Sequence, residues 1–520
     1  MRRRSAAPRT EPIRALLAAV AVAAAAMIAG ASLAQYGPVE PIDSSVRMLR
    51  DGLGSRNDGI QHAAMVSLRE LRDPALRPML ERLLKSDDWT MRVDSLLGLA
   101  ELSDDGLVDL EALLALPGED DREEATRAAI TLRMLDQARI ERLLAADDLA
   151  APQRVLLATE LRRLGGQPDQ AMLVRLAQSR TPEIAGIATA LLVDSAASDA
   201  ADLVASLKTM LGTLPARSRA AAVAQVAEAC LASRAERAAP LVAELIALPE
   251  ITGDARMRAL GSLLVLAPET AYPVFAASVE ADRSQTSLVR HALVLLTAGV
   301  RAPKGEWTRL RNGDALLETL ADSGELLGAS SDLEAYEKII ALGHRTSLLA
   351  ALEGARRLGE SSERALGVAS LRALVREGKA LGPLLEPSVR AIARLAAIAP
   401  EELRPSLAGT IESRDVHDAL LLALMGAGTP AAAEVAASAQ GRSSRLGEAL
   451  IVVLRARTSP TIRPDELQLL ATVAGGGSGA DPAVRTQAAW LWARHAAKAP
   501  EVIEAVIGGA PAGSTEGSGG

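Results

Sequence analysis

The feature that most constrains this chain is a unit of two short amphipathic helices that recurs, imperfectly, from about residue 55 to about residue 505. The clearest copy spans residues 71–102. Asp73-Pro74 reads as a helix start: a side-chain acceptor for free N–H groups, then a proline where a missing N–H costs nothing. Leu76, Leu80, Leu83 and Leu84 follow at helical spacing and define one buried face. Lys85-Ser86-Asp87-Asp88 makes the turn, and Val93, Leu96, Leu97 and Ala100 fall at i, i+3, i+4 and i+7 of a second helix. Residues 125–130, 153–157, 289–293, 388–392 and 481–489 repeat the second-helix pattern. The intervals between Arg92, Arg127 and Arg154 are 35 and 27 residues, so the period drifts. A period between about 20 and 50 residues is still the mark of a stacked array.

Composition supports helices. Hydrophobic residues are 49 % of the 520 while aromatics are 2 %, so the apolar content is aliphatic, mostly Ala, Leu and Val. Strands favour β-branched and aromatic side chains, and this mixture with 23 % charged residues fits helices better. The expected fold is all-α: an α-solenoid, a right-handed superhelix of antiparallel helical hairpins, about 11–13 of them at 35–40 residues each. One Cys excludes a disulfide framework, an iron–sulfur cluster and a cysteine-based zinc site.

The leucine pattern of the first helix, the Asp-containing turn, the Val-Arg or Met91-Arg92 pair and the Ala/Leu-rich second helix resemble the HEAT-repeat family and its bacterial HEAT-like relatives. Residues 76–102 and 481–491 match well, and residues 200–300 more loosely. The resemblance implies an α-solenoid in which a turn Asp and a second-helix Arg form a ladder between neighbouring repeats. Those roles fall here on Asp87 and Arg92, Asp121 and Arg127, and Asp481 and Arg485. HEAT arrays host many unrelated tasks, so the resemblance implies no chemistry.

Residues 1–14 carry Arg2, Arg3, Arg4, Arg9 and Arg14 against one Glu, and residues 15–34 are uncharged. A basic head, an apolar stretch and small residues at its end describe a secretory signal peptide, here with cleavage between Ala34 and Gln35. The competing reading is a retained anchor in residues 15–34, since twenty apolar residues can span a bilayer. Cleavage would leave 52 basic and 64 acidic residues, a net charge of −12. That is a poor match for phosphates or anionic lipid, and scarce aromatics remove the base-stacking platform, so nucleic acid is excluded as a partner. The Arg excess over Lys, 51 to 6, suits a GC-rich bacterial genome.

The organisation expected is a signal peptide over 1–34, a lead-in over 35–54 and an N-terminal HEAT-like array over 55–301. A polar, irregular insertion or hinge over 302–347 would then separate it from a C-terminal array over 348–507 and a disordered tail over 508–520. Within that frame no site stands out. His62, His291, His344, His417 and His495 lie far apart, and no H-E-x-x-H or G-x-S-x-G motif occurs. Distant repeats of a solenoid are not expected to meet, which disfavours a histidine triad. Paired acids such as Asp87-Asp88 lack the spaced ligands of a calcium loop and read as helix caps. Cys230 lies on the apolar face of Val223 and Val226 and reads as a buried small residue. Gly475-x-Gly477-x-x-Ala480 follows a helix and not a strand, so it is no dinucleotide fingerprint. Trp490 and Trp492 are expected to fill the final core layer and cap the array's end, and Trp89 to pack into an inter-repeat groove.

No catalytic residue, metal ligand or cofactor is therefore assigned. The function expected is an exported, periplasmic or extracellular, non-catalytic scaffold that binds a protein or peptide partner along its surface, with no membrane insertion after signal cleavage. The alternatives are an enzyme or enzyme subunit with chemistry in residues 302–347, and a membrane-tethered assembly factor.

Overall fold

Apolar positions recurring every three to four residues produce helix throughout the computed structural model, which holds 28 α-helices and no strand among its described residues. The structure describes residues 41–507 except 56, 147–148, 199, 249, 330, 343–359, 378–384 and 409–413. The expected signal peptide with its Ala34–Gln35 junction and the expected tail over 508–520 lie outside the described residues.

The helices gather into two compact units. One combines the chain up to Ala128 with the chain from Gly428 onward, and the other runs Ala129–Ala427. The first unit opens with α1 (Pro41–Leu53) and α2 (Asp58–Arg69). A 3-10 turn at Pro74–Leu76 leads into α3 (Arg77–Leu83), which pairs with α4 (Trp89–Glu101), and α5 (Leu110–Leu114) precedes α6 (Glu119–Thr131). The second unit continues with α7 (Gln137–Leu144), α8 (Ala151–Arg163), α9 (Gln170–Ala177), α10 (Pro182–Asp194), α11 (Ala200–Thr213) and α12 (Ala216–Ser233). Next come α13 (Ala239–Ile246), α14 (Gly253–Leu266), α15 (Pro268–Ala281), α16 (Gln285–Ala298), α17 (Lys304–Leu310) and α18 (Ala315–Ala329). It ends with α19 (Asp332–Ala341), α20 (Glu360–Glu377), α21 (Leu385–Ile398), α22 (Arg404–Ala408) and α23 (Arg414–Ala427). The chain then completes the first unit with α24 (Pro430–Ala437), α25 (Arg445–Thr458), α26 (Pro464–Ala474), α27 (Pro482–His495) and α28 (Ala499–Ile507).

Aspartates begin many of these helices because their carboxylates accept otherwise unpaired N–H groups. Asp73 accepts from Ala75, Asp88 from Thr90 and Met91, Asp109 from Glu111 and Ala112, and Asp481 from Val484. Each such cap is worth about 1 kcal/mol. Packing between hairpins supplies more. Around α8–α10, Val155, Ala158, Met172, Leu173, Leu176, Ile184, Ala188 and Leu191 form one core cluster, and burying each large side chain contributes about 1.5–3 kcal/mol.

Second helices are buried on more than the one face that their spacing suggests. In α4 the apolar Val93, Leu96, Leu97 and Ala100 are buried, and so are Asp94, Ser95 and Gly98. In α27 nine of fourteen residues are buried, including Gln487, Trp490 and Trp492.

Two expectations are corrected. First, distant repeats do meet within the first unit: α27 packs on α1 and α2, and α28 packs on α1 and α3. Trp490 and Trp492 therefore do not cap an exposed end. Trp490 is fully buried, and its indole N–H donates to Asp73 at 2.8 Å. Gln487 Nε2 donates to the Ser67 carbonyl at 3.0 Å and to Glu70 at 3.1 Å, and Arg82 pairs with Glu504. Second, residues 302–347 are not irregular where described, for α17, α18 and α19 occupy them. Their polarity has a use. Glu318, Asp322 and Glu325 stand at i, i+4 and i+7 of α18 and share the Arg311 guanidinium, the last two at 2.7 and 3.1 Å. Gly324 is no helix breaker here: it makes room for the buried Trp307 indole. The units divide at residues 128 and 428.

Candidate interaction surface

Charged pairs fix the register of the first second helices in the first unit. His62 in α2 donates from Nδ1 to Asp94 of α4 at 2.8 Å, and Arg69 reaches Asp94 at 3.0 Å and Glu101 at 2.8 Å. Residue numbers rise together along both helices, so α2 and α4 run parallel. Arg92 continues the series by pairing with Asp121 of α6, its Nε at 3.0 Å. Asp94 and Arg69 are both nearly sealed from solvent. Breaking such a pair from one side strands a buried charge and costs about 3–5 kcal/mol. The Asp94 hydrogen bond raises the pKa of His62, against the opposing effect of burial.

Three large apolar side chains of these hairpins stand in solvent. Ile60, the third residue of α2, is 46 % exposed. Trp89, the first of α4, is 36 % exposed, and Leu114, which ends α5 just before the turn into α6, is 37 % exposed. Trp89, expected to pack into an inter-repeat groove, is thus only partly covered. Residues 85–127 contain thirteen Asp and Glu against four Lys and Arg, nine net negative charges where the whole chain carries eight. Asp87, Asp120 and Lys85 are exposed, while Arg92 is tied to Asp121 and Arg127 to Glu123 and Glu124.

Of the ladder residues carried over from the HEAT resemblance, Arg92 and Asp121 meet each other across adjacent hairpins. Asp87 is exposed in its turn, and Arg127 pairs with Glu123 one turn earlier in its own helix. Asp481 caps α27, while Arg485 donates at 3.3 Å to the Ala474 carbonyl at the end of α26. That last role recurs. Arg92 donates to the Ser86 carbonyl at 2.7 Å, Arg154 to those of Ala146 and Leu149 at 2.9 and 3.0 Å, and Arg219 to that of Leu214 at 3.0 Å. The second-helix arginine thus satisfies carbonyls left free where the first helix ends.

Cross-repeat ties also come from residues that the motif did not single out. Arg69 reaches Asp94, and Arg162 at the end of α8 reaches Asp194 at the end of α10 at 2.7 Å. Both arginines follow a leucine near a second-helix C-terminus, Leu68-Arg69 and Leu161-Arg162, which is the signal that could have found them.

Elsewhere the chemistry-bearing side chains serve packing. Cys230 is 2 % exposed, and burial pushes its thiol up to about 12. His291 in α16 is held between Ser278 Oγ and the Ser287 carbonyl, each at 2.8 Å, and burial lowers its pKa. His417 is buried in α23, His495 contacts the Ala456 carbonyl at 2.8 Å, and His344 lies outside the described residues. Among the described residues no three His, Cys, Asp or Glu side chains group as metal ligands would, and no helix is long and apolar enough to cross a membrane.

No family model matches the chain, and no curated protein matches it. Among solved structures, the crystal structure of a Kap121p mutant matches at 11 % identity with a TM-score of 0.23, over 97 % of this chain and 70 % of that one. A likeness at that level carries no weight for function.

Proposed function

We propose that this chain is a HEAT-like array serving as an exported, non-catalytic scaffold that holds a protein or peptide partner along its surface. The observation that carries the reading is that Ile60, Trp89 and Leu114 stand exposed on three successive hairpins of the first unit. Aromatic side chains are common anchors of protein interfaces, and this chain of few aromatics keeps one of its four Trp among those three. Export rests on the basic head and apolar run of residues 1–34.

The test is affinity purification of the full chain from the envelope fraction of its native cell, after cross-linking, with mass spectrometry of what is joined to it. A reproducible protein partner cross-linked to the array is the expected result. Recovery of no partner, together with turnover of a small molecule by the purified chain, would reverse the reading. N-terminal sequencing of exported material should begin at Gln35, and material beginning at Met1 would remove the export part alone.

A further inference from the structure

We propose that α1 is a displaceable strap, and that the groove it fills on α2, α26, α27 and α28 receives an amphipathic helix of a partner protein. The inference rests on the reading of the chain as a partner-binding scaffold and adds where the partner is admitted and what it must carry.

The groove is seen with a helix in it. α1 packs on α2, its neighbour in the chain, and on α26, α27 and α28 from the chain's other end. Its buried residues are Ser44, Ser45, Met48, Leu49, Gly52 and Leu53, pairs that recur every four residues and so form one stripe along the helix. Both ends of the stripe are held close. A Cβ on Gly52 would stand 3.0 Å from Ala64 Cβ of α2, and a Cβ on Gly475, at the end of α26, would stand 3.8 Å from Ser44 Oγ.

Two observations mark α1 as the part that leaves. First, the groove is tied together without it. Gln487 of α27 donates to the Ser67 carbonyl and to Glu70, and Trp490 and Arg494 of the same helix donate to Asp73. Among the described residues, the one hydrogen bond from α1 to α26, α27 or α28 runs from the Arg50 guanidinium to the Ala505 carbonyl. Second, the fit of α1 is imperfect. Ser45 is fully enclosed, yet its hydroxyl has no hydrogen-bond partner among the described residues. The same is true of Gln61 Oε1 in α2 and Gln487 Oε1 in α27, two of the helices that α1 packs on. Enclosed polar atoms without partners weaken a contact, and opening returns them to water.

These contacts also define the occupant. The short tether of residues 54–57 holds α1 at high local concentration, so the identical helix of a second copy offers nothing that α1 lacks and does not compete. A partner helix displaces α1 by presenting a better stripe. It carries apolar side chains where Met48, Leu49 and Leu53 stand, a small residue at the place of Gly52, and an apolar side chain in place of Ser45. A Lys or Arg at the place of Arg50 meets the last turn of α28, whose free carbonyls favour a cation.

The probe is a fluorescein-labelled peptide of residues 41–53 carrying Ser45→Ala, and its affinity for the full chain is read by anisotropy. Ser44→Cys with Gly475→Cys provides a lock. The two positions approach closely enough for a disulfide, a φ of −71° at Gly475 accepts a side chain, and Cys230 is too buried to interfere. The peptide should bind the reduced chain, and oxidation should weaken binding about tenfold or more. The peptide of unchanged sequence should bind more weakly, and one carrying Leu49→Asp not at all. Leu49→Asp in the chain's own α1, with circular dichroism unchanged, should strengthen binding of the probe. Hydrogen exchange read by mass spectrometry should show α1 amides exchanging ahead of those of α27 in the reduced chain, and together with them in the oxidised one. Equal binding to oxidised and reduced chains, α1 amides that exchange no sooner than those of α27, or no binding even to the Leu49→Asp chain would overturn the proposal. Sedimentation of the wild-type chain as a dimer, absent once the lock is oxidised, would assign the groove to a second copy and overturn it too. If the native partner cross-links equally to oxidised and reduced chains, the scaffold reading stands and the strap is wrong.

Discussion

Gly324→Ala puts the packing of the α17–α18 segment to a test whose sign can be worked out beforehand. Gly324 lies inside α18 beneath the Trp307 indole, which is 1 % exposed. A methyl group added there would sit 2.1 Å from Cζ2, 2.3 Å from Cε2 and 2.4 Å from Cη2 of that ring. The ring is stiff and enclosed, so backbone or indole must move. Helix propensity alone would favour alanine over glycine by up to about 1 kcal/mol. Overpacking costs about 1–3 kcal/mol, and overlap with three ring atoms belongs at the upper end, which leaves a net loss of about 2 kcal/mol. Trp307→Ala costs about 3–5 kcal/mol by itself, yet it removes the obstacle. In that background the same glycine change should stabilise by up to about 1 kcal/mol. Urea unfolding of the four proteins, followed by far-ultraviolet circular dichroism, measures both signs. A glycine change of the same sign in both backgrounds would show that the indole is not what Gly324 accommodates.

Three further outcomes follow from the structure. Trp490→Phe keeps an aromatic ring but removes the N–H that Asp73 Oδ2 accepts at 2.8 Å, leaving that oxygen with Arg494 at 3.4 Å while Oδ1 keeps the Ala75 N–H. It should cost about 1–3 kcal/mol in thermal unfolding, and unchanged stability would mean that the bond between the two ends of the first unit contributes nothing. His62, whose pKa the Asp94 hydrogen bond raises above 6.5, adds stability that is complete below pH 6.5 and fades as pH rises through its folded pKa. Its side chain is 54 % exposed, so the gain should stay under about 1 kcal/mol. His291 and His495, both lowered by burial, act in the opposite direction on acidification, so the readout is wild type against His62→Gln. The difference should be present at pH 5.5 and absent at pH 9, and the reverse order would refute the pairing. Cys230 should react with a thiol reagent only as fast as the chain opens, and quickly in denaturant; rapid labelling of the folded protein would contradict its burial.

The sequence shows the hairpins because their causes are local. Asp73-Pro74, the leucines after them and the Asp88 cap act within a few residues of one another, and the structure places the helix starts accordingly. What lies beyond local reach was misread. Asp73 reads as a cap, which it is, but its second carboxylate oxygen accepts from Trp490, 417 residues away. Polar residues and glycines over 302–347 read as a break, because the partner that makes Gly324 necessary, Trp307, lies on another helix. The ladder expected from the HEAT resemblance reaches across hairpins between Arg92 and Asp121 and between Arg219 and Glu250, and both arginines also bond carbonyls of their own hairpins, as Arg154 and Arg485 do, a double role that spacing does not reveal.

Second helices here take polar groups into the interior and pair them there, as Asp94 with Arg69 and Asp194 with Arg162. Three of the four Trp side chains are drawn inside as well. The described residues nonetheless leave Ile60, Trp89, Leu114, Leu132, Leu342, Val375, Ile398 and Leu422 more than a third exposed, so the interior takes up polar groups while large apolar ones stay in water in both units.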